Sequence, residues 1–332
     1  MTITYEPLTL VFKSPILTSR GGMQEKHGYL LKIEHHGKTG IGECSYIEGL
    51  SIDPLEQYEQ KLLALSTAND YRMVDLWQFP SIQCGLEMAL LDLQNGGIGK
   101  YFDSPFYSGT AGIPINGLLW MGNLSYLYEQ LEEKLQAGFR CIKMKVGALP
   151  FEQECSILEE IRKRFDATQL ELRLDANGAF TPGAAHERLQ TLSQFHIHSI
   201  EQPIAPGQWP AMRELIEAQI IPVALDEELI GYHEQPAILL EQIQPDYIIL
   251  KPSLHGGFSR CDQWIAAAES QHIGWWATSA LESNIGLMAI AQWCATKNNT
   301  MPQGLGTGGL YVNNIPAPLS IEKACLWHRM VS

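Results

Sequence analysis

The alternation of apolar and polar positions divides the chain into two rhythms. Period-two patterns at 5–13 (YEPLTLVFK), 28–35 (GYLLKIEH) and 39–44 read as three strands of an antiparallel meander. Helical spacing follows at 53–64, opened by Asp53-Pro54, and at 81–96, ended by Gly96-Gly97. The stretches 18–26 and 45–51 are rich in Gly, Ser and charge, which predicts two mobile loops.

From residue 113 the rhythm changes. Short β-like runs at 115–121, 141–146, 170–177, 199–204, 221–227, 247–252, 273–279 and 302–307 are separated by helical patterns at 124–137, 150–165, 183–194, 211–218, 235–243, 257–270 and 286–295. Eight strands alternating with seven helices predict an α/β fold of modified TIM-type (β/α) barrel form. No GxGxxG follows the first of these strands, which weighs against a dinucleotide-binding sheet. The expected units are an α+β domain over 1–112, the barrel over 113–309, and a tail over 310–332 that packs back on the first domain.

Composition narrows the partners. The 332 residues carry 23 basic and 37 acidic side chains, a formal net charge of −14, which disfavours nucleic acid and anionic membrane surfaces as partners. The seven cysteines (44, 84, 141, 155, 261, 294 and 325) form no CxxC pair, so neither a disulfide framework nor a structural zinc site is indicated. The start of the chain lacks a basic-then-apolar leader, and no run approaches the roughly 20 apolar residues of a membrane helix. The expectation is a cytoplasmic, soluble protein whose oligomeric state the sequence leaves open.

The chemistry lies in the charges that end the strands. Parallel barrels gather reactive groups at the C-terminal ends of their strands. Here Lys143 and Lys145 end the second strand, Asp175 the third, Glu201 the fourth, Asp226 and Glu227 the fifth, and Lys251 the sixth. From Lys145 the successive intervals to Asp175, Glu201, Asp226 and Lys251 are 30, 26, 25 and 25 residues, about one β/α unit each.

Three converging carboxylates repel unless a cation sits among them, and ligation by oxygen alone favours Mg²⁺ over Zn²⁺. A rim of helix caps and salt bridges explains any single acid as well, but not the ordered series. Lys145 and Lys251 stand four strands apart across the mouth. A partly desolvated Lys145 beside the Lys143 charge reads as a base. Arg173, Asp175 and Asn177 alternate and so point inward together. Arg173 would orient a carboxylate or act on Lys145, and Asn177 would support the site. Regular alternation turns Glu227 away from Asp226 without deciding which of the two binds metal. His196 and His198 precede the fourth strand, at the wrong end for the rim, and are set aside, while His255 follows Lys251 with no role assigned.

The ordered set KMK (143–145), LDAN (174–177), IEQP (200–203), LDEE (225–228) and LKPS (250–253) resembles the enolase superfamily, in its muconate-lactonizing subgroup, over essentially the whole chain. The resemblance implies that the first domain caps the barrel, with the 18–26 and 45–51 loops closing over the site. It implies Mg²⁺, with Mn²⁺ as a substitute, on Asp175, Glu201 and Asp226, Lys145 as base and Lys251 as its partner, and Glu227 in a supporting place. Ser279 and Gly304, at the ends of the seventh and eighth strands, are expected to line the substrate pocket.

Within the subgroup the likeness is to the lyases that eliminate water from a cyclic carboxylate to leave an aromatic ring. Dipeptide epimerases and N-succinylamino acid racemases share the lysines and ligands. Dipeptide epimerases usually carry an acidic DxD pair near the eighth strand, where this chain has GLGTGG (304–309). A barrel used only for binding is the remaining reading, and the complete set of lysines and carboxylates counts against it.

Overall fold

The computed structural model describes residues 1–18, 21–120, 122 and 124–329. The N-terminal half opens with an antiparallel sheet of β1 (Thr2–Thr18), β2 (Gly21–His35) and β3 (Lys38–Ser45). Helices α1 (Tyr58–Thr67) and α2 (Pro80–Gln94) complete it. β3 lies against α2 at backbone distance because glycines face each other: a Cβ on Gly42 would fall 1.9 Å from the Gly85 carbonyl oxygen. The expected loop at 18–26 is instead largely strand. Thr18 pairs with Gly21 and Met23 with Ile16, so β1 and β2 run on to a hairpin whose residues 19 and 20 lie outside the described residues. The ladder's backbone hydrogen bonds outweigh the turn-forming composition. The 45–51 stretch is a loop after β3, pinned by the Ile47 N–H to Ser51 Oγ.

The barrel is a curved sheet of seven parallel strands among the described residues. In spatial order they are β5 (Gly117–Leu119), β6 (Cys141–Lys145), β7 (Glu171–Asp175), β8 (Ser199–Glu201), β9 (Val223–Leu225), β10 (Tyr247–Leu250) and β11 (Gly274–Ala277). The eighth strand expected at 302–307 reduces to single bridges, Ile115 with Gln303 and Thr278 with Gly304. Glycines 304, 306, 308 and 309 give this segment little side chain with which to hold a pleat.

Helices α3 (Leu124–Gln136), α4 (Phe151–Arg164), α5 (Pro182–Ser193), α6 (Trp209–Glu217), α7 (Pro236–Ile243), α8 (Pro252–His255), α9 (Phe258–Ser270) and α10 (Asn284–Ala295) follow the strands. Outward residues such as Ile142, Met144, Leu172 and Leu174 meet Ile157, Leu158, Ile161, Leu189 and Leu192 in one continuous core. No described helix is long and apolar enough to cross a membrane.

The tail divides its contacts. Tyr311 bridges Phe12, and the Val312 N–H donates to Val11 O, so its first residues run along β1. β12 (Leu319–Glu322) and β13 (Cys325–His328) then form a hairpin on β4 (Ile113–Pro114), and His328 stacks on Tyr107 of the first domain. Residues 330–332 of the expected tail lie outside the described residues. Two acids of the N-terminal half reach across to barrel helices. Glu43 accepts from Ser283 N, Ser283 Oγ and Gly286 N at the start of α10. Glu87 accepts from Phe258 N and Ser259 N at the start of α9. Carboxylates there satisfy amides with no partner inside the helix and meet the positive end of its dipole.

Candidate active site

The strand ends carry the charges to one rim. Lys145, Asp175 and Glu201 are the last residues of β6, β7 and β8, while Asp226 and Lys251 follow directly after β9 and β10. Register aligns Lys145 with Asp175 and Asp175 with Glu201. A cavity of about 1000 Å³ opens above them between the barrel and the N-terminal half. Lys143, Lys145, Asp175, Asn177, Glu227, Lys251, Ser279 and Gly304 all line it. Glu201 and Asp226 are wholly buried beside them.

The lysines and acids are interlocked. Lys143 Nζ lies 3.0 Å from Asp175 Oδ2 and 2.8 Å from Glu201 Oε2. Lys145 Nζ donates to Asp175 Oδ2 at 3.1 Å and to Asn177 Oδ1 at 2.5 Å. Lys251 donates to Asp226 Oδ2. Burial alone would lower the Lys143 and Lys251 ammonium pKa values, but the facing carboxylates outweigh it and both are raised. Burial pushes Asp175 and Asp226 up, and the lysines pull both below the ordinary carboxylate range. Glu201 goes the other way: burial, then the Asp175 charge, holds it well above the ordinary value. Lys143 is thus not the free neighbouring charge expected beside Lys145, because it is bound into an ion pair with two acids.

The donor set leaves room for one more cation. Glu201 Oε1 and Asp226 Oδ1 are buried without a hydrogen-bond donor among the described residues. Such oxygens are costly unless a positive charge meets them. As they stand, no three His, Cys, Asp or Glu side chains among the described residues are arranged to enclose a metal, and the lysine ammonium groups supply the compensating charge. The two unmet oxygens, beside the Asp175 carboxylate, make an all-oxygen donor set of the kind a hard divalent cation would satisfy.

Two expectations about direction change. Glu227 turns toward the site, because β9 ends at Leu225 and a short 3-10 turn over Glu227–Leu229 replaces regular alternation. Its Oε1 accepts from Asn177 Nδ2 at 3.0 Å, and Asn177 adopts φ +44° beyond the end of β7. Asn177 thus links Lys145 to Glu227. Arg173 points inward, opposite Lys143 in register, but it is 1% exposed and is not among the described residues that line the cavity. Its Nε donates to Glu171 Oε1 at 2.7 Å, its Nη1 donates to Pro302 O at 2.9 Å, and the guanidinium lies 4.3 Å over the Trp276 ring. It braces the barrel floor, where His198 stacks on Tyr247 and Tyr247 meets Trp276 at a tilt of 51°.

Ser279 Oγ donates to Glu282 Oε2 at 2.7 Å and accepts from Thr307 Oγ1 at 2.9 Å. Glu282 also accepts from Ser253 Oγ, two residues after Lys251. Sequence reasoning missed Lys26, which lies on β2, is 3% exposed and lines the cavity, with Ser45 Oγ accepting from its Nζ. Extending the period-two pattern of β2 backward from Leu30 through Gly28 would have put Lys26 on the buried face.

His255 is buried in α8 with neither ring nitrogen hydrogen-bonded among the described residues. Burial holds its pKa at about 4, against an ordinary 6.5. Between those values the unfolded chain binds a proton that the folded one refuses, so stability rises with pH across the window, by up to about 3 kcal/mol. Asp53, raised by burial to about 6, acts in the opposite sense over part of the same range. Urea unfolding of wild type and His255→Phe at several pH values isolates the histidine: the wild type is expected to lose stability relative to the variant as pH falls from 6.5 to 4. A constant difference between the two would contradict the assignment.

Comparison with known proteins gives a consistent relationship. Residues 126–326 match the family described as enolase C-terminal domain-like, and residues 7–93 match the MenC N-terminal domain. The chain is 46% identical to an o-succinylbenzoate synthase of Desulfotalea psychrophila over 98% of either chain. It superposes on the crystal structure of MenC from Desulfotalea psychrophila LSv54 with a TM-score of 0.89 at 43% identity, covering 98% of this chain and 99% of that one. The o-succinylbenzoate synthase of Thermosynechococcus elongatus BP-1, solved with Mg in its active site, shares the fold at a TM-score of 0.76 and 23% identity, over 92% of each chain. The chain belongs to the enolase superfamily and, within it, to the o-succinylbenzoate synthase family.

Proposed function

We propose that the protein is an o-succinylbenzoate synthase, a carbon–oxygen lyase that removes water from 2-succinyl-6-hydroxy-2,4-cyclohexadiene-1-carboxylate in menaquinone biosynthesis. The observation that carries the reading is the meeting of Lys145, Lys251 and three carboxylates at one rim of a cavity, in a chain 46% identical to an o-succinylbenzoate synthase.

Asp175, Glu201 and Asp226 would hold Mg²⁺, with Mn²⁺ as a substitute. When bound, the ion supplies Lewis-acid stabilisation of the charge that develops on the substrate carboxylate as the adjacent C–H is broken. Lys145, as the neutral amine, takes that proton; Asn177 Oδ1 and Asp175 Oδ2 fix where its nitrogen points. The Lys145 ammonium so formed returns the proton to the ring hydroxyl, which leaves as water on the same face. Lys251 stays protonated, held so by Asp226, and its charge faces the developing enediolate. Asn177 and Glu227 keep the base oriented, and Ser279 and Gly304 line the wall that receives the succinyl arm.

Incubation with the cyclohexadiene substrate and Mg²⁺, followed by the ultraviolet change as the ring becomes aromatic, tests the reading. Fast exchange of the α-hydrogen of N-succinylamino acids or dipeptides in heavy water, without dehydration of the cyclohexadiene, would make the protein a racemase or epimerase instead.

A further inference from the structure

Several lysines line the cavity, and all but one are already paired. Among the described residues, Lys134 meets Glu133, Lys143 meets Asp175 and Glu201, Lys145 meets Asp175, and Lys251 meets Asp226. Lys26 has no carboxylate partner of this kind, and its one hydrogen-bond acceptor among the described residues is Ser45 Oγ. An ammonium has three N–H donors, so two find no acceptor among the described residues, on a side chain 3% exposed. Donors withdrawn from water and left unmet are costly.

The nearby acids do not answer that demand. Glu43 and Glu282 are close enough to act on Lys26 through their charge, yet both are taken up elsewhere. Glu43 accepts three donors at the start of α10, and Glu282 accepts the hydroxyls of Ser253 and Ser279. They neutralise the corner over a distance without closing off the ammonium. Glu282, whose charge acts on Lys26, accepts from Ser279, so the cation and that stretch of cavity wall belong to one corner of the site.

We infer that Lys26 receives the distal carboxylate of a dicarboxylic substrate, the end of the acyl arm farthest from the reacting carbons. This rests on the lyase reading above, in which the ring carboxylate is engaged beside Lys145 and Lys251 and the second carboxylate needs its own cation. The N-terminal half is thereby a direct contributor to substrate recognition, and a ligand with a neutral arm forgoes the contact.

The test compares two acids on the Mg²⁺-loaded protein by calorimetry: o-succinylbenzoate, and 2-butyrylbenzoate, which replaces the distal carboxylate with a methyl group. Lys26→Met is expected to weaken o-succinylbenzoate binding by about 10- to 100-fold, as loss of a charge-assisted hydrogen bond does, while 2-butyrylbenzoate changes by less than about twofold. Lys26→Arg should keep most of the preference for the dicarboxylate. Lys26→Gln serves if the methionine variant does not fold, with thermal melting as the check. Equal losses for both acids, or no loss for either, would overturn the assignment. If wild type turns over the cyclohexadiene and the variants lose both acids equally, Lys26 alone is misassigned. A wild type that neither turns it over nor binds either acid removes the lyase reading and this inference together.

Discussion

Replacing Lys145 with alanine is expected to lower dehydration of the cyclohexadiene substrate by roughly 10³-fold or more, the usual weight of a positioned general base. Lys145, the last residue of β6, lines the cavity with its nitrogen oriented by Asp175 Oδ2 and Asn177 Oδ1. Lys143, bound to Asp175 and Glu201, is not placed to exchange a proton freely. The loss should fall on kcat, with o-succinylbenzoate binding reduced far less, because the alanine removes the proton acceptor and leaves the rest of the pocket. Steady-state kinetics by ultraviolet absorbance and product titration separate the two. An alanine variant with wild-type turnover would sink the assignment.

The second large effect concerns Glu201. Chelation of divalent metal should abolish turnover, and added Mg²⁺ should restore it. Glu201→Gln should weaken Mg²⁺ binding at least tenfold, measured by calorimetry without substrate. The same change is expected to leave the metal-free fold at least as stable as wild type. Burial and the Asp175 charge already hold Glu201 far from its ordinary ionisation, so a neutral amide relieves repulsion in the metal-free state. Unchanged metal affinity, or turnover without metal, would contradict the ligand role.

The rim was legible in the sequence because its signal is a spacing. A charge recurring about every 25 residues, in step with β/α units, has few explanations other than a common barrel face. What stayed hidden depended on where strands end and how deep a side chain lies. Period two sends Arg173 inward but does not reveal that its donors go to Glu171 and the Pro302 carbonyl, on the barrel floor. The turn after Leu225 brings Glu227 round to Asn177, against the alternation that a longer strand would impose. Lys26 was obscured by the Gly-Gly and charged residues before it, which signal a loop when read locally, although cross-strand pairing with β1 keeps them extended. The glycines at 304–309 marked departure from the dipeptide-epimerase pattern, but not that the last barrel strand would shrink to bridges.

Glu43 and Glu87, seated on the starts of α10 and α9, bear on how the molecule comes apart. Each joins a side chain of one half to backbone amides of the other, so separating the halves would strip a buried carboxylate and bare a helix end in the same event. Neither half can melt first without exposing both kinds of group. The expected outcome is cooperative unfolding as a single unit, in which loosening the N-terminal sheet and loosening the barrel are the same transition.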